Sequence, residues 1–238
     1  MMCSLPLLTL LWALNTAAPA AAPNPIQQLQ DARALIERGE LRDAHQILDA
    51  LVRRFPGFGL AQLELGELLV KDGAPAERQV QVFETAASLE PKNPRSHLGL
   101  CGAYDRNQSF EKAVVSCRQA LQARPGRTDI QRRLAVLLVL AGRDAEAIPE
   151  LKTASARFPE DDLLRAHLAE ACERRGDFDC ARRSYEALFA RHPASALHAR
   201  RLARFYERRG EPQRAEATLK KSGEAPRRQL RPLPPSAR

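Results

Sequence analysis

The chain has 238 residues, 44% of them hydrophobic, 28% charged and only 5% aromatic. That composition is ordinary for a soluble chain, and the scarcity of aromatic residues and β-branched runs disfavours a β-sheet protein. A net charge of +8 with a pI near 9.7 points toward acidic partners, whereas nucleic acid is disfavoured because side chains that stack on bases are few.

Residues 1–22 read as a secretory signal peptide. An apolar run from Leu5 to Leu14 is followed by Asn15-Thr16 and an alanine-rich stretch with small-x-small cleavage sites after Ala18, Ala20 or Ala22. No Lys or Arg precedes Arg33, so the positive n-region is reduced to the terminal amine. The apolar run is about half the ~20 residues a helical span requires, which makes a retained anchor the weaker alternative. The expectation is an exported, periplasmic protein, with membrane attachment only through an uncleaved N-terminal segment.

From residue 25 to residue 222 three columns of residues keep one beat. Ala32, Gly66, Cys101, Ala135, Ala169 and Ala203 are spaced by 34, 35, 34, 34 and 34 residues. Ala44, Ala113, Ala147, Ala181 and Ala215 form a second column, and Pro56, Pro91, Pro125, Pro159 and Pro193 a third. A fixed period of this length means tandem structural repeats. Turn signals lie between the first and second columns at Gly39-Glu40, Asp72-Gly73, Gly142-Arg143, Gly176-Asp177 and Gly210-Glu211, flanked by apolar residues at helical spacing. Each unit is therefore two helices crossing where their facing side chains are small, and the proline ends the second helix. The predicted units are 25–58, 59–93, 94–127, 128–161, 162–195 and 196–222.

This pattern resembles the tetratricopeptide repeat family. The third unit carries it in Leu100, Cys101, Tyr104, Phe110, Ala113, Ala120 and Pro125; the fifth carries it in Leu168, Ala169, Gly176, Phe178, Ala181, Tyr185, Leu188 and Pro193. Departures are local. Cys117 and Cys172 stand where a large residue is usual, and the second unit has an extra turn residue in Ala74-Pro75-Ala76-Glu77, with Gln79 in place of the column alanine. That hairpin is expected to open slightly wider. Pro149 falls early in a second helix, where a missing amide costs least, so the helix is expected to continue. The resemblance implies an all-α protein, a right-handed α-solenoid of about six helix-turn-helix repeats.

The resemblance also implies a concave groove lined by the first helices. Its first half would present Ile26, Leu29, Ile36, Leu60, Leu63, Val70 and Leu98, with Arg33, Glu64 and Glu67 among them. The second half would present Arg132, Arg133, His167, Arg174, Arg200, Arg201, Arg204 and Arg208, opposed by Asp129, Glu170, Glu173 and Glu207. A protein or peptide with an apolar and an acidic segment would suit such a groove, and an anionic polymer is the second candidate partner. The family's chaperone-binding subset holds a C-terminal carboxylate with Lys and Asn where this chain has Leu29 and Arg33, so that activity is not expected.

Removal of residues 1–22 leaves Cys101, Cys117, Cys172 and Cys180, an even number suited to an oxidising compartment. If Cys101 faces Ala113 across its hairpin, Cys117 lies about one helical turn, or ~5 Å, out of register, so Cys101 and Cys117 are expected to be buried small hydrophobes. Cys172 and Cys180 lie only about two residues out of register beside the turn. They are the candidates for a disulfide.

No catalytic constellation emerges. His45, His97, His167, His192 and His198 form no H-E-x-x-H, no i,i+4 pair and no Cys/His cluster with ligand spacing, and no phosphate loop or nucleophile elbow occurs. Neither an enzyme nor a cofactor or metal site is expected. The last segment, 223–238, mixes Arg227, Arg228, Arg231 and Arg238 with Pro226, Pro232, Pro234 and Pro235, and reads as a basic, extended or disordered tail. Together these features predict a non-catalytic scaffold of the cell envelope, similar to pilus-assembly members of the family, with a polysaccharide-export accessory that holds an acidic glycan as the alternative.

Overall fold

The computed structural model describes residues 24–223. The signal-peptide reading of residues 1–22 and the tail reading beyond Gly223 lie outside the described residues. Among those described there are twelve α-helices and no strand: α1 (Pro25–Arg38), α2 (Leu41–Arg54), α3 (Gly59–Lys71), α4 (Ala76–Leu89), α5 (Pro94–Arg106), α6 (Phe110–Ala123), α7 (Thr128–Leu140), α8 (Asp144–Arg157), α9 (Asp162–Arg174), α10 (Phe178–Arg191), α11 (Ala196–Arg208) and α12 (Pro212–Lys221). Each helix packs on the next, and α1 also touches α3, α3 touches α5 and α7 touches α9. The result is an all-α solenoid of helix pairs.

Local chemistry sets the boundaries. Asn24 and Asn93 precede a proline at the first helical position, and their side chains accept from Ile26 N (2.9 Å) and Arg95 N (3.0 Å). Asp161 accepts from Leu163 N at 3.1 Å. The second helices end two residues before each column proline: the intervening Phe55, Glu90, Arg124, Phe158 and His192 have φ between −140° and −120°, outside the helical region, as a following proline demands. Despite Pro149, α8 runs unbroken.

The two alanine columns are the helix crossings. Ala32, Cys101, Ala135, Ala169, Ala203 and Ala44, Ala113, Ala147, Ala181, Ala215 are all at most 3% exposed. The core has no single centre. Leu29, Leu48, Leu51, Leu65, Leu68 and Leu69 bind the first pair to one side of α3, while a second run extends from Leu63 and Phe83 to Leu219. Ala147→Leu should therefore overpack its crossing and cost about 1–3 kcal/mol. Lys152→Met, at an exposed site on the same helix, should leave the thermal midpoint nearly unchanged. Equal midpoints for the two variants would contradict this register.

The turns between paired helices place Gly39, Gly73, Gly142, Gly176 and Gly210 at φ between 69° and 82°. In the third pair the same place is held by Gln108 at φ 57°, the one non-glycine with positive φ among the described residues. A side chain there costs roughly 1–2 kcal/mol of strain. Gln108→Gly should raise the unfolding free energy by about 0.5–1 kcal/mol once the added freedom of the unfolded chain is subtracted, measurable by urea denaturation.

Two expectations need correction. The hairpin of α3 and α4 is not opened, since α3 packs on α4 as extensively as α1 on α2. Gln79 is buried with its amide satisfied, donating from Nε2 to Ala74 O (2.7 Å) and accepting from Arg106 Nε (2.8 Å). The second correction concerns Cys101 and Cys117, which form a disulfide with Cα atoms 5.0 Å apart. The α5–α6 turn is centred one residue later than the Cys101–Ala113 pairing assumes, so the residual offset is about 3 Å of helix rise and not a full turn. Cys172 and Cys180 are also joined, with Cα atoms 5.8 Å apart.

Candidate functional site

The first helices α3, α5, α7 and α9 enclose a cleft of about 600 Å³. Its floor is apolar: Val70, Phe83, Leu98, Ile130, Val136 and Leu163 line it, together with Gly99 and Gly102 of α5. These glycines lie three residues apart on one helix face, and the missing side chains create the hollow. A Cβ on Gly99 would collide with the ring of Phe83, which is buried beneath it; a Cβ on Gly102 would stand 3.0 Å from Arg133 Nη1 and 3.5 Å from Arg106 Nη1. Phe83, from the second helix pair, occupies the space that the third pair leaves by having no side chain at Gly99.

Cations rim this cleft, and their pairing decides what they can do. On the α1–α3–α5 face the charges neutralise one another. Arg33 donates to Glu64 (3.0 and 2.7 Å), and Arg95 donates to Glu64 (3.1 Å) and to Glu67 (3.1 and 2.6 Å). The hydrogen bond to Glu67 outweighs burial and raises the pKa of Arg95. Arg132 is ion-paired with Asp161. Arg133 has no ion-pair partner among the described residues, and Arg106 donates only to the neutral Gln79. Desolvation, followed by the neighbouring Arg133 charge, pulls the Arg106 guanidinium below its ordinary value. Glu67 and Asp129 also line this hollow but are held by Arg95 and Arg127, so the two guanidiniums face it without a bonded carboxylate.

A second cleft, of about 750 Å³, lies between α9 and α11. Arg174, Arg200, Arg201, Arg204 and Arg208 line it with Tyr185, Leu197, Glu170 and Glu173. Here too most arginines are spoken for: Arg208 grips Glu173 (2.7 and 2.9 Å), and Arg174 grips Asp144 (2.8 and 2.6 Å). Arg201 stands 3.9 Å from Glu170. Arg204 is exposed and has no ion-pair partner among the described residues.

The structure redistributes the expected groove residues. Leu98, Arg132 and Arg133 line the first cleft, and Arg200, Arg201 and Arg204 the second. Leu29 and Leu63 are corrected from groove to core, at 3% and 1% exposure. Leu29 belongs to the cluster that joins the first pair to α3, and Leu63 to the run that contains Phe83. His167 is half-buried and lies outside both clefts. Its imidazole, 3.7 Å from Glu170, holds that carboxyl below the usual range, helped by Arg201 and Arg174. Sequence reasoning missed Gly99, Gly102, Arg106 and Phe83. The legible signal was the glycine pair, three apart on a helix that presents its face to the groove.

Models of the tetratricopeptide repeat family match residues 29–77, 106–171 and 162–205, which together make up more than half of the chain. The chain belongs to the tetratricopeptide repeat family. Two curated relatives share the name cellulose synthase operon protein C. The one from Xanthomonas axonopodis pv. citri is 30% identical over 186 residues, 74% of this chain and 12% of the relative. The one from Pseudomonas fluorescens is 27% identical over 230 residues, 87% of this chain and 18% of the relative. This chain therefore spans less than a fifth of either relative's length. Among solved tetratricopeptide structures, YrrB, described as having an unusual peptide-binding site, superposes with a TM-score of 0.61 at 18% identity, covering 74% of this chain and 90% of YrrB. PilF of Pseudomonas aeruginosa superposes with a TM-score of 0.53 at 19% identity, covering 83% and 90%. Tetratricopeptide folds are typically non-catalytic interaction scaffolds. No helix among the described residues is long and apolar enough to cross a membrane.

Proposed function

We propose that this tetratricopeptide protein is a non-catalytic scaffold of the cell envelope that holds a partner's segment in its groove during assembly of an envelope, pilus or secretion complex. The observation that carries the reading is the cleft over Gly99 and Gly102. An apolar floor beside the unneutralised Arg106 and Arg133 suits a bulky apolar side chain next to a carboxylate. Export is supported by the alanine-rich presequence and by two disulfides, which persist in oxidising compartments.

The test is capture from envelope extract of the native host. Gly102→Leu fills the hollow while improving helix propensity, so partner recovery should fall at least tenfold with helical content unchanged. Arg227→Glu with Arg228→Glu, in the tail, should leave recovery intact. Loss with the tail variant and retention with Gly102→Leu would refute the groove reading.

One observation favours a second reading. The name of the two curated relatives ties them to a cellulose synthase operon, which suits an accessory of polysaccharide export; cellulose itself is uncharged, so the acidic glycan of this reading rests on the basic groove alone. Such binding would be lost at high salt, whereas a peptide keeps its apolar contribution.

A further inference from the structure

Three side chains with metal-ligating atoms meet where the fifth helix pair joins the sixth. Asp162 is the first residue of α9, His192 follows the last residue of α10, and His198 lies in the first turn of α11. Asp162 Oδ2 is 2.5 Å from His192 Nε2. The imidazoles of His192 and His198 face each other with centres 5.3 Å apart and planes 30° apart. One ligand atom from each of the three residues lies within 4.8 Å of the other two.

Two imidazoles bound to one tetrahedral Zn²⁺, each with Zn–N of about 2.0–2.1 Å, hold their ring centres roughly 5 Å apart. The stacked pair already has that separation. The far oxygen of the carboxylate, Asp162 Oδ1, is ion-paired with Arg191 Nη1 at 3.2 Å without a hydrogen bond, and Oδ2 is the oxygen that meets the imidazole of His192. His198 Nδ1 is buried and has no hydrogen-bond partner, which is uncommon for a polar atom out of water. His192 is exposed enough for an ion to enter from solvent. A set of two imidazoles and one carboxylate suits zinc and its borderline neighbours; calcium and magnesium take oxygen ligands.

We infer that Asp162, His192 and His198 form a binding site for one divalent cation of the zinc class, with water completing the coordination. The ion ties α9, the end of α10 and α11 at one point. Because α11 also carries Arg201 and Arg204, the site fixes the last first helix against the one before it. Spacing along the sequence hides this site, since Asp162 lies a helix pair away from the two histidines.

The test uses the full mature chain without a histidine tag, titrated with Zn²⁺ by calorimetry and with Co²⁺ by visible absorption. The wild type should bind one Zn²⁺ per chain, give a tetrahedral Co²⁺ spectrum and melt at a higher temperature with the ion present. Loss of an outer-shell partner alone costs roughly 10–100-fold in affinity. Removing a ligand with His192→Ala, or with Asp162→Asn, should therefore weaken binding by at least ~100-fold. Both sites are partly exposed, and circular dichroism verifies the fold of each variant. His45→Ala, which removes an ordinary pair with Asp49 at 3.2 Å, should bind as the wild type does. Absence of saturable Zn²⁺ binding by the wild type, or unchanged binding by the two ligand variants, would overturn the inference.

Discussion

Replacing Cys101, Cys117, Cys172 and Cys180 together by alanine should lower the unfolding free energy by roughly 5 kcal/mol. In the chain-entropy account, the bridge with a sequence separation of 16 contributes about 3 kcal/mol and the one with a separation of 8 somewhat less. All four positions are at most 3% exposed, so alanine leaves only small voids and the loss reports mainly on the cross-links. Each bridge ties the two helices of one pair and none ties neighbouring pairs, so the third and fifth pairs should open first in the alanine variant. Urea denaturation of the wild type, with and without reductant, gives the same comparison without mutation. Equal midpoints in the two conditions would show that the bridges are not formed.

Charge reversal at Arg133 and Arg204 is expected to have the largest effect on binding. These are groove arginines without an ion-pair partner among the described residues, so each can offer a full charge-assisted hydrogen bond, worth about 1.5–3 kcal/mol. Arg133→Glu combined with Arg204→Glu should therefore weaken partner capture by about a hundredfold or more and flatten its salt dependence. Both side chains are exposed, so helical content and melting temperature should stay unchanged. Reversal at Arg174 and Arg208 makes an informative contrast. Those side chains hold Asp144 and Glu173, so their loss should destabilise the stack as well as alter binding.

Much of the fold was legible because small residues at crossings and prolines after second helices each answer a local steric demand. Ala147 and Pro159 reveal their roles wherever they recur. Gln108 did not, because its backbone is carried into the left-handed region by the repeat and not by its own preference. The groove was harder to read. Periodicity says that Leu29 and Leu63 recur at one position, but not that their face turns inward, since a modest rotation of each helix exchanges groove for core. The expected arginine cluster was thinned by pairing across repeats. Arg33 and Arg95 reach Glu64, and Arg208 reaches Glu173, at separations of 31, 31 and 35 residues, close to one repeat. That spacing was visible in the sequence. The hollow over Gly99 and Gly102 depends instead on Phe83 reaching under α5 from the helix before it, and a pattern along one helix does not show that.

Photo-crosslinking in the native host tests the groove most directly. A photoreactive residue at Val136, in the wall of the first cleft, should capture a specific partner; the same residue at Lys152, exposed on α8, should not. Addition of Gly102→Leu should abolish the Val136 product. A partner captured from Lys152 or from tail position Gln229, with none from Val136, would contradict the account and reduce the solenoid to a spacer.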